Sequence, residues 1–359
     1  MKKLLSLALC LVLVISLAAC GGSGNSSAVS ADSSTASTTD SGASTEESTA
    51  GENTPANASV VLKVGTTTAP DGHYVKGLEE FQRLLNEYSG GDIALEIYPN
   101  SQLGNERDLV EGVSLGTVSM ALVSTGTLPN FVPDFAVLDL PYLFGSADAA
   151  YKVLDSEIGS DLLGQLGQKG IQGLGFWENG FRHVTNNTKE IVVPDDLKGM
   201  KIRTMENDIH MDTYTQYGAN PTPMAWSEIF TALQQGTVDG QENPLAIIET
   251  AKVYEVQKYL SLTGNFYSPC VLMINKSLFD GLTQEQQDII VKAAGEAKAW
   301  QRQYSQGYNE AALQILKDAG CIITEVDQEV WQAASMGTYT NFESKLNQDY
   351  ISQIQAMQE

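Results

Sequence analysis

Read for its alternation of apolar and polar positions, the chain becomes structured near Val60. Val60-Val61-Leu62-Lys63-Val64 reads as a buried strand; Val75, Leu78, Phe81, Leu85 and Tyr88 then recur at helical spacing until Ser89-Gly90-Gly91, with Asp71 as the expected cap. Ile93 to Tyr98 returns as a strand, Glu106 to Leu115 as a short helix and Val118 to Val123 as a third strand. This βαβαβ run predicts a largely parallel sheet. A second set begins after Gly180, with Arg182 to Thr185, Lys201 to Met205, a helix over Asp208 to Tyr217, the segment Pro221-Thr222-Pro223, and a helix over Ser227 to Gln235.

From Thr283, with Gln286 three residues on as a capping box, to Gly320 as a stop, no proline interrupts a helix-favouring composition. About 36 residues at about 1.5 Å each make a rod of about 54 Å, longer than one small domain is wide. It must therefore cross two lobes, unless Gly295 or Gly307 breaks it.

The N-terminus is patterned differently. Lys2 and Lys3 precede an apolar run from Leu4 to Leu17, and Ala18, Ala19 and Cys20 follow, the order of a lipoprotein signal cleaved before a lipidated cysteine. Residues 1–19 are read as the signal, and 20–59 as the lipidated Cys20 with a Ser/Thr/Gly linker too poor in apolar side chains to fold. The remaining body is large enough for two lobes. The net charge of −23 becomes −25 once Lys2 and Lys3 leave, which disfavours nucleic acid as a partner. Cys10 and Cys20 belong to the export segment, leaving Cys270 and Cys321, read as two unpaired, buried thiols with a disulfide between them as the alternative.

Three segments together carry a resemblance. Asn179-Gly180-Phe181-Arg182 with Thr185-Asn186, Asp196-Leu197-Lys198-Gly199-Met200-Lys201-Ile202-Arg203, and Gly218 to Met224 through Asp239-Gly240-Gln241-Glu242-Asn243-Pro244 are similar to the solute-binding proteins of TRAP transporters, the DctP family. Gln102-Leu103-Gly104, Leu140-Pro141-Tyr142-Leu143-Phe144 and Tyr254 to Leu260 add to it, and the resemblance spans residues 60–359. It implies an α/β, two-lobe periplasmic-binding-protein-like fold: each lobe a sheet flanked by helices, a long helix spanning both, and a ligand in the cleft. On this basis residues 60–180 with 269–305 form lobe 1, and 181–268 with 306–359 lobe 2. The implied protein is a monomeric, non-catalytic receptor on the outer face of a Gram-positive-type cytoplasmic membrane. It captures a small carboxylate by lobe closure and delivers it to sodium-coupled TRAP permease subunits, using neither cofactor nor metal. The alternative is a sensor feeding a signalling partner.

The resemblance also assigns residues. Arg203 matches the arginine that pairs with the ligand carboxylate, and Arg182 a second one nearby. Asn243 matches a hydrogen-bonding residue in a turn, Trp226 an aromatic placed against the ligand, and Glu106 an acidic position suited to ligand hydroxyls. His73 and Thr67 lie in the first strand-to-helix loop, where α/β folds gather ligands. Ser124, in Ser124-Thr125-Gly126-Thr127, is neutral where the sialic-acid branch of the family carries charge in this segment, which points to a hexuronate or other sugar acid, with C4-dicarboxylates second. Asn265 stands where many relatives have His. Gly112-Val113-Ser114-Leu115-Gly116 matches the hydrolase pattern G-x-S-x-G, but helix precedes the serine and strand follows it, the reverse of a nucleophile elbow.

Overall fold

The computed structural model describes residues 58–358. The export signal, Cys20 and all but the last two residues of the linker lie outside the described residues. The first strands follow the apolar pattern closely: β1 (Val60–Gly65), α1 (His73–Ser89), β2 (Ile93–Tyr98), α2 (Glu106–Leu115) and β3 (Met120–Ser124). β1 pairs in parallel with β2 and β3, as the βαβαβ reading expects. Two 3-10 segments, Thr125–Asn130 and Pro133–Asp139, lead to α3 (Ala147–Leu154) and α4 (Glu157–Gln165).

β4 (Ile171–Asn186) then leaves this lobe and enters the next. There follow β5 (Lys201–Thr204), α5 (Asp208–Gln216), β6 (Asn220–Pro223), α6 (Ile229–Gln234), β7 (Gly240–Asn243) and α7 (Leu245–Thr250). The equally long β8 (Tyr259–Asn275) runs back, antiparallel to β4 along its length. The strands form one sheet in the order β2-β1-β3-β8-β4-β7-β5-β6, with β9 (Ile322–Thr324) on β8. The sheet is therefore mixed. Arg182 to Thr185 is only the end of a strand that begins at Ile171, because Gly180, after which the sequence reading began a second set, sits at a shift in register and not at a break.

After α8 (Lys276–Asp280), α9 (Gln284–Asp318) runs unbroken through Gly295 and Gly307, opened by the Thr283–Gln286 capping box. Its first half packs Ile290, Ala293, Ala294 and Ala297 into a core with Leu62, Leu78, Phe81 and Trp177. Its second half adds Ala312 and Leu316 to a core with Ile229, Leu233 and Val253. It does span both lobes. Midway, Gln301 reads one residue of β4 twice: its Oε1 accepts from the Glu178 amide at 2.9 Å and its Nε2 donates to the Glu178 carbonyl at 2.8 Å.

Three expectations are corrected. Asp71 does not cap α1; the helix begins later, with extended Gly72 at the cap and no side-chain bond. Cys321 is unpaired, as is Cys270, but only half-buried. The C-terminal segment does not all join lobe 2. α10 (Gln328–Phe342) buries Trp331 against Tyr217 and Met200, but Phe342, Leu346, Ile351 and Ile354, the last two on α11 (Gln348–Ala356), return to the core of Leu109, Phe135 and Leu162. Among the described residues no helix is long and apolar enough to cross a membrane.

The crossing of α1 over α9 and β4 depends on Gly77. A Cβ there would stand 2.5 Å from Gln301 Cγ and 2.7 Å from Trp177 Cζ3. Gly77→Ala should therefore destabilise by about 1–3 kcal/mol through overpacking. Gly295→Ala, with open space around its Cβ, should stabilise by up to about 1 kcal/mol. Urea denaturation midpoints of the two variants check this, and shifts of the same sign would refute it.

Candidate functional site

The cleft between the lobes is built from strand ends, where side chains can converge from both sides. Thr67 and Thr68 follow β1, Ser124 ends β3, Asn179 and Arg182 come from the crossing strand β4, Arg203 from β5, and Asn243 ends β7. Glu106 opens α2, Tyr74 lies in the first turn of α1 and Trp226 opens a 3-10 turn after β6. With Met205 and Ile247 these line one cavity of about 350 Å³, its open mouth included. A neighbouring recess of about 540 Å³, open to solvent, shares Thr67 and Trp226.

Its charges are arranged unequally. Arg182 is 1 % exposed and uses Nε and Nη2 on the carboxylate of Glu242, with the Glu242 carbonyl accepting a further bond from Nη2 at 2.8 Å. Burial opposes the Arg182 charge, but Glu242 outweighs it and the guanidinium is held above its ordinary range. Arg203, 3 % exposed, has no carboxylate partner among the described residues. Its Nε and Nη2 both donate to the Met224 carbonyl, at 2.9 and 2.6 Å, and its guanidinium lies 5.8 Å from the Trp226 ring. Burial, and then the neighbouring Arg182, lower its pKa to about 10. Bonds to a neutral carbonyl fix its direction without cancelling its charge. Nη1 of both arginines has no hydrogen-bond partner among the described residues.

Glu106 faces the arginines. Its Oε1 accepts from the Ser124 amide at 2.7 Å, and burial lifts its pKa to about 7 despite that bond and the two arginines, which pull the other way. The surface it exposes is cavity wall, so it is desolvated although not fully covered. Ser124 Oγ lies 3.1 Å from Ser268 Oγ, which also accepts from Asn179 Nδ2 at 3.3 Å, while Asn179 Oδ1 is buried without a partner. Asn243 Nδ2 donates to Gln241 Oε1 at 2.6 Å.

The lobes also meet outside this cavity. Asn207 Nδ2 donates to the Gly126 carbonyl at 2.9 Å and to Asp139 Oδ2 at 2.7 Å, Asn130 Nδ2 to the Glu206 carbonyl at 3.0 Å, and the Ser227 amide to Asn105 Oδ1 at 3.4 Å.

Of the residues singled out from the sequence, Arg203, Arg182, Asn243, Trp226, Glu106, Thr67 and Ser124 converge on this cavity. His73 does not. It is wholly buried beside Tyr74, its two ring nitrogens make no hydrogen bond within the described residues, and burial lowers its pKa to about 3, so it is a neutral packing residue. One position along the helix, Tyr74 takes the place expected of it. Thr68, Asn179, Met205, Ile247 and the partner carboxylate Glu242 were also missed. Asn179 and Glu242 lay inside the quoted motifs, and a buried strand arginine demands a carboxylate, which was the signal available for Glu242. Ser114 sits within α2 and donates to the Lys169 carbonyl at 2.6 Å, far from any nucleophile geometry.

The sequence pattern described as bacterial extracellular solute-binding protein, family 7 (DctP) matches residues 64–345. The 2,3-diketo-L-gulonate-binding periplasmic protein YiaO of Escherichia coli is 37% identical over 78% of this chain and 86% of its own. The C4-dicarboxylate-binding periplasmic protein DctP of Rhodobacter capsulatus is 35% identical over 83% of this chain and 90% of its own. The crystal structure of a TRAP periplasmic solute-binding protein from Polaromonas bound to D-erythronate superposes with a TM-score of 0.81 at 42% identity, covering 83% of this chain and 98% of that one.

The raised pKa of Glu106 has a consequence for stability. A folded pKa of about 7 against 4.5 means that the folded state binds the extra proton between these values. Its contribution is full below about pH 4.5 and is lost as the pH rises through about 7. Urea melts of the ligand-free protein should show a decline across that window, and Glu106→Gln should remove that part of it. Parallel pH profiles for the two proteins would refute the assignment.

Proposed function

The chain belongs to the bacterial extracellular solute-binding proteins of family 7, the DctP family, and on that footing we propose that it captures a hydroxylated monocarboxylate of the sugar-acid class. The observation that carries this reading is the buried Arg203, desolvated, oriented by a carbonyl and unpaired with any carboxylate among the described residues. Its outer Nη1–Nη2 end offers two parallel donors to a ligand carboxylate, while Arg182, already offset by Glu242, adds Nη1. A dicarboxylate needs a second free cation, and the cavity offers Glu106 instead. A carboxyl group with one oxygen on the Ser124 amide and the other unengaged among the described residues suits ligand hydroxyls. The D-erythronate and 2,3-diketo-L-gulonate bound by relatives are of this class, and the C4-dicarboxylate bound by another is the competing choice.

Capture is hinge closure. Thr67, Glu106 and Ser124 belong to one lobe, Arg203, Trp226 and Asn243 to the other, so a ligand touching both stabilises the closed state over the open one. The closed form is what a TRAP permease would receive. Lipidation at Cys20 would hold the receptor beside that permease on the outer face of the membrane and raise the effective concentration of the pair.

A thermal-shift panel of D-erythronate, D-galacturonate and succinate tests the ligand class. A compound at 100 times its Kd stabilises by about 2.7 kcal/mol. A sugar acid should give the largest shift; Arg203→Ala should abolish it, and Arg203→Lys should restore little of it, because an ammonium cannot pair in a fork. A shift that survives Arg203→Ala would refute the pairing, and a larger response to succinate would reverse the choice of class. For the anchor, Cys20→Ser should move the protein from the membrane fraction to the medium or periplasm; retention in the membrane would exclude lipidation as the tether.

A further inference from the structure

Next to Glu242, the partner of Arg182, lies a histidine that does not line the cavity. His210, in the first turn of α5, is fully buried. Its Nε2 stands 3.6 Å from Asp139 Oδ1 and its Nδ1 3.9 Å from Glu242 Oε1. Phe266 of β8 stacks on the ring at 4.0 Å and 14°, which fixes the plane in which both nitrogens point. Neither ring nitrogen has a hydrogen-bond partner, nor does Asp139 Oδ1, among the described residues. The other groups that face this place are Arg182, bonded to Glu242, the Asn207 amide on Asp139 Oδ2, and the Tyr214 hydroxyl, which accepts from Asn265 Nδ2 at 3.2 Å.

A neutral imidazole carries one N–H. Whichever nitrogen bears it, the other has a carboxylate oxygen near its lone pair, at 3.6 Å (Asp139) or 3.9 Å (Glu242), between side chains that are all buried. An imidazolium carries two, and a movement of a few tenths of an ångström would turn both contacts into charge-assisted hydrogen bonds. The charges then balance: Arg182 and His210 against Glu242 and Asp139. With a neutral ring Asp139 would be a buried anion held by one amide.

We infer that His210 is an imidazolium bridging Asp139 and Glu242, and that it positions Arg182 by holding Glu242. Asp139 lies in the 3-10 segment of the first lobe, whereas His210 and Glu242 belong to the second, so the bridge ties the site's arginine to contact between the lobes.

Nitrogen-15 NMR of the histidine rings in the ligand-free protein at pH 7 tests the charge without any variant. The chain has three histidines, and burial keeps two of them neutral at this pH, His73 with a pKa of about 3 and His183 of about 4. One imidazolium pattern is expected, absent in His210→Gln and converted to a neutral ring in Asp139→Asn. Three neutral rings at pH 7 would overturn the bridge. The positioning role is read from the Arg182 Nε–H, whose exchange with water Glu242 slows; in His210→Gln that exchange should quicken about tenfold, the effect of loosening one buried hydrogen-bonded partner. An imidazolium whose removal leaves the Arg182 exchange rate unchanged would overturn the positioning role. Because both readings are made without ligand, they stand or fall independently of which carboxylate is bound.

Discussion

The antiparallel pairing of β4 with β8 is the constraint from which the rest follows. These two strands are longer than a lobe and belong to both, so each half of the sheet is bonded to the other through continuous backbone. Pairing keeps the crossing segments' amides and carbonyls satisfied although they run through the middle of the molecule. It also dictates what can occur at the crossing. Arg182 stands where the register of β4 shifts, between the lobes and out of reach of solvent, and such a position is tolerable only with a carboxylate as close as Glu242.

A second constraint is electrostatic. A chain of net charge −23 repels anions at long range, so an anion must be held by local groups. The cleft meets this with desolvated donors. Arg203 carries its charge at a cost, which its lowered pKa records, and a carboxylate arriving at its free end relieves that cost. Glu106 meets the opposite situation. Burial biases it toward the neutral form, which lets a third ionisable group stand near the arginines without cancelling them.

Much of this was legible in the sequence. Strands and helices buried on one face announced themselves by period, and β1, β2, α2 and both ends of α9 fall within a residue or two of expectation. Motifs at strand ends placed most of the cavity's residues because strand ends are where this topology gathers them. What was not legible depends on phase and distance. His73 and Tyr74 are neighbours in sequence, and which faces the cleft is decided by one step of helix rotation. Gly180 of β4 read as an interruption because a bulge and a turn share the same residue preference. The return of Phe342 and Ile354 to the first lobe had no local signal, since an apolar helix face does not say which core it will cover.

That return has a consequence for how the chain completes its two cores. α10 seals one lobe and α11 the other, after β4, β8 and α9 have already passed between them. No single cut in the chain separates the two halves. The core around Trp331 and the core around Ile354 each wait on a segment from the far end of the chain, so contacts distant in sequence complete both. At the cleft-facing loops and strand ends, by contrast, a side chain can be exchanged without disturbing the weave of β4, β8 and α9.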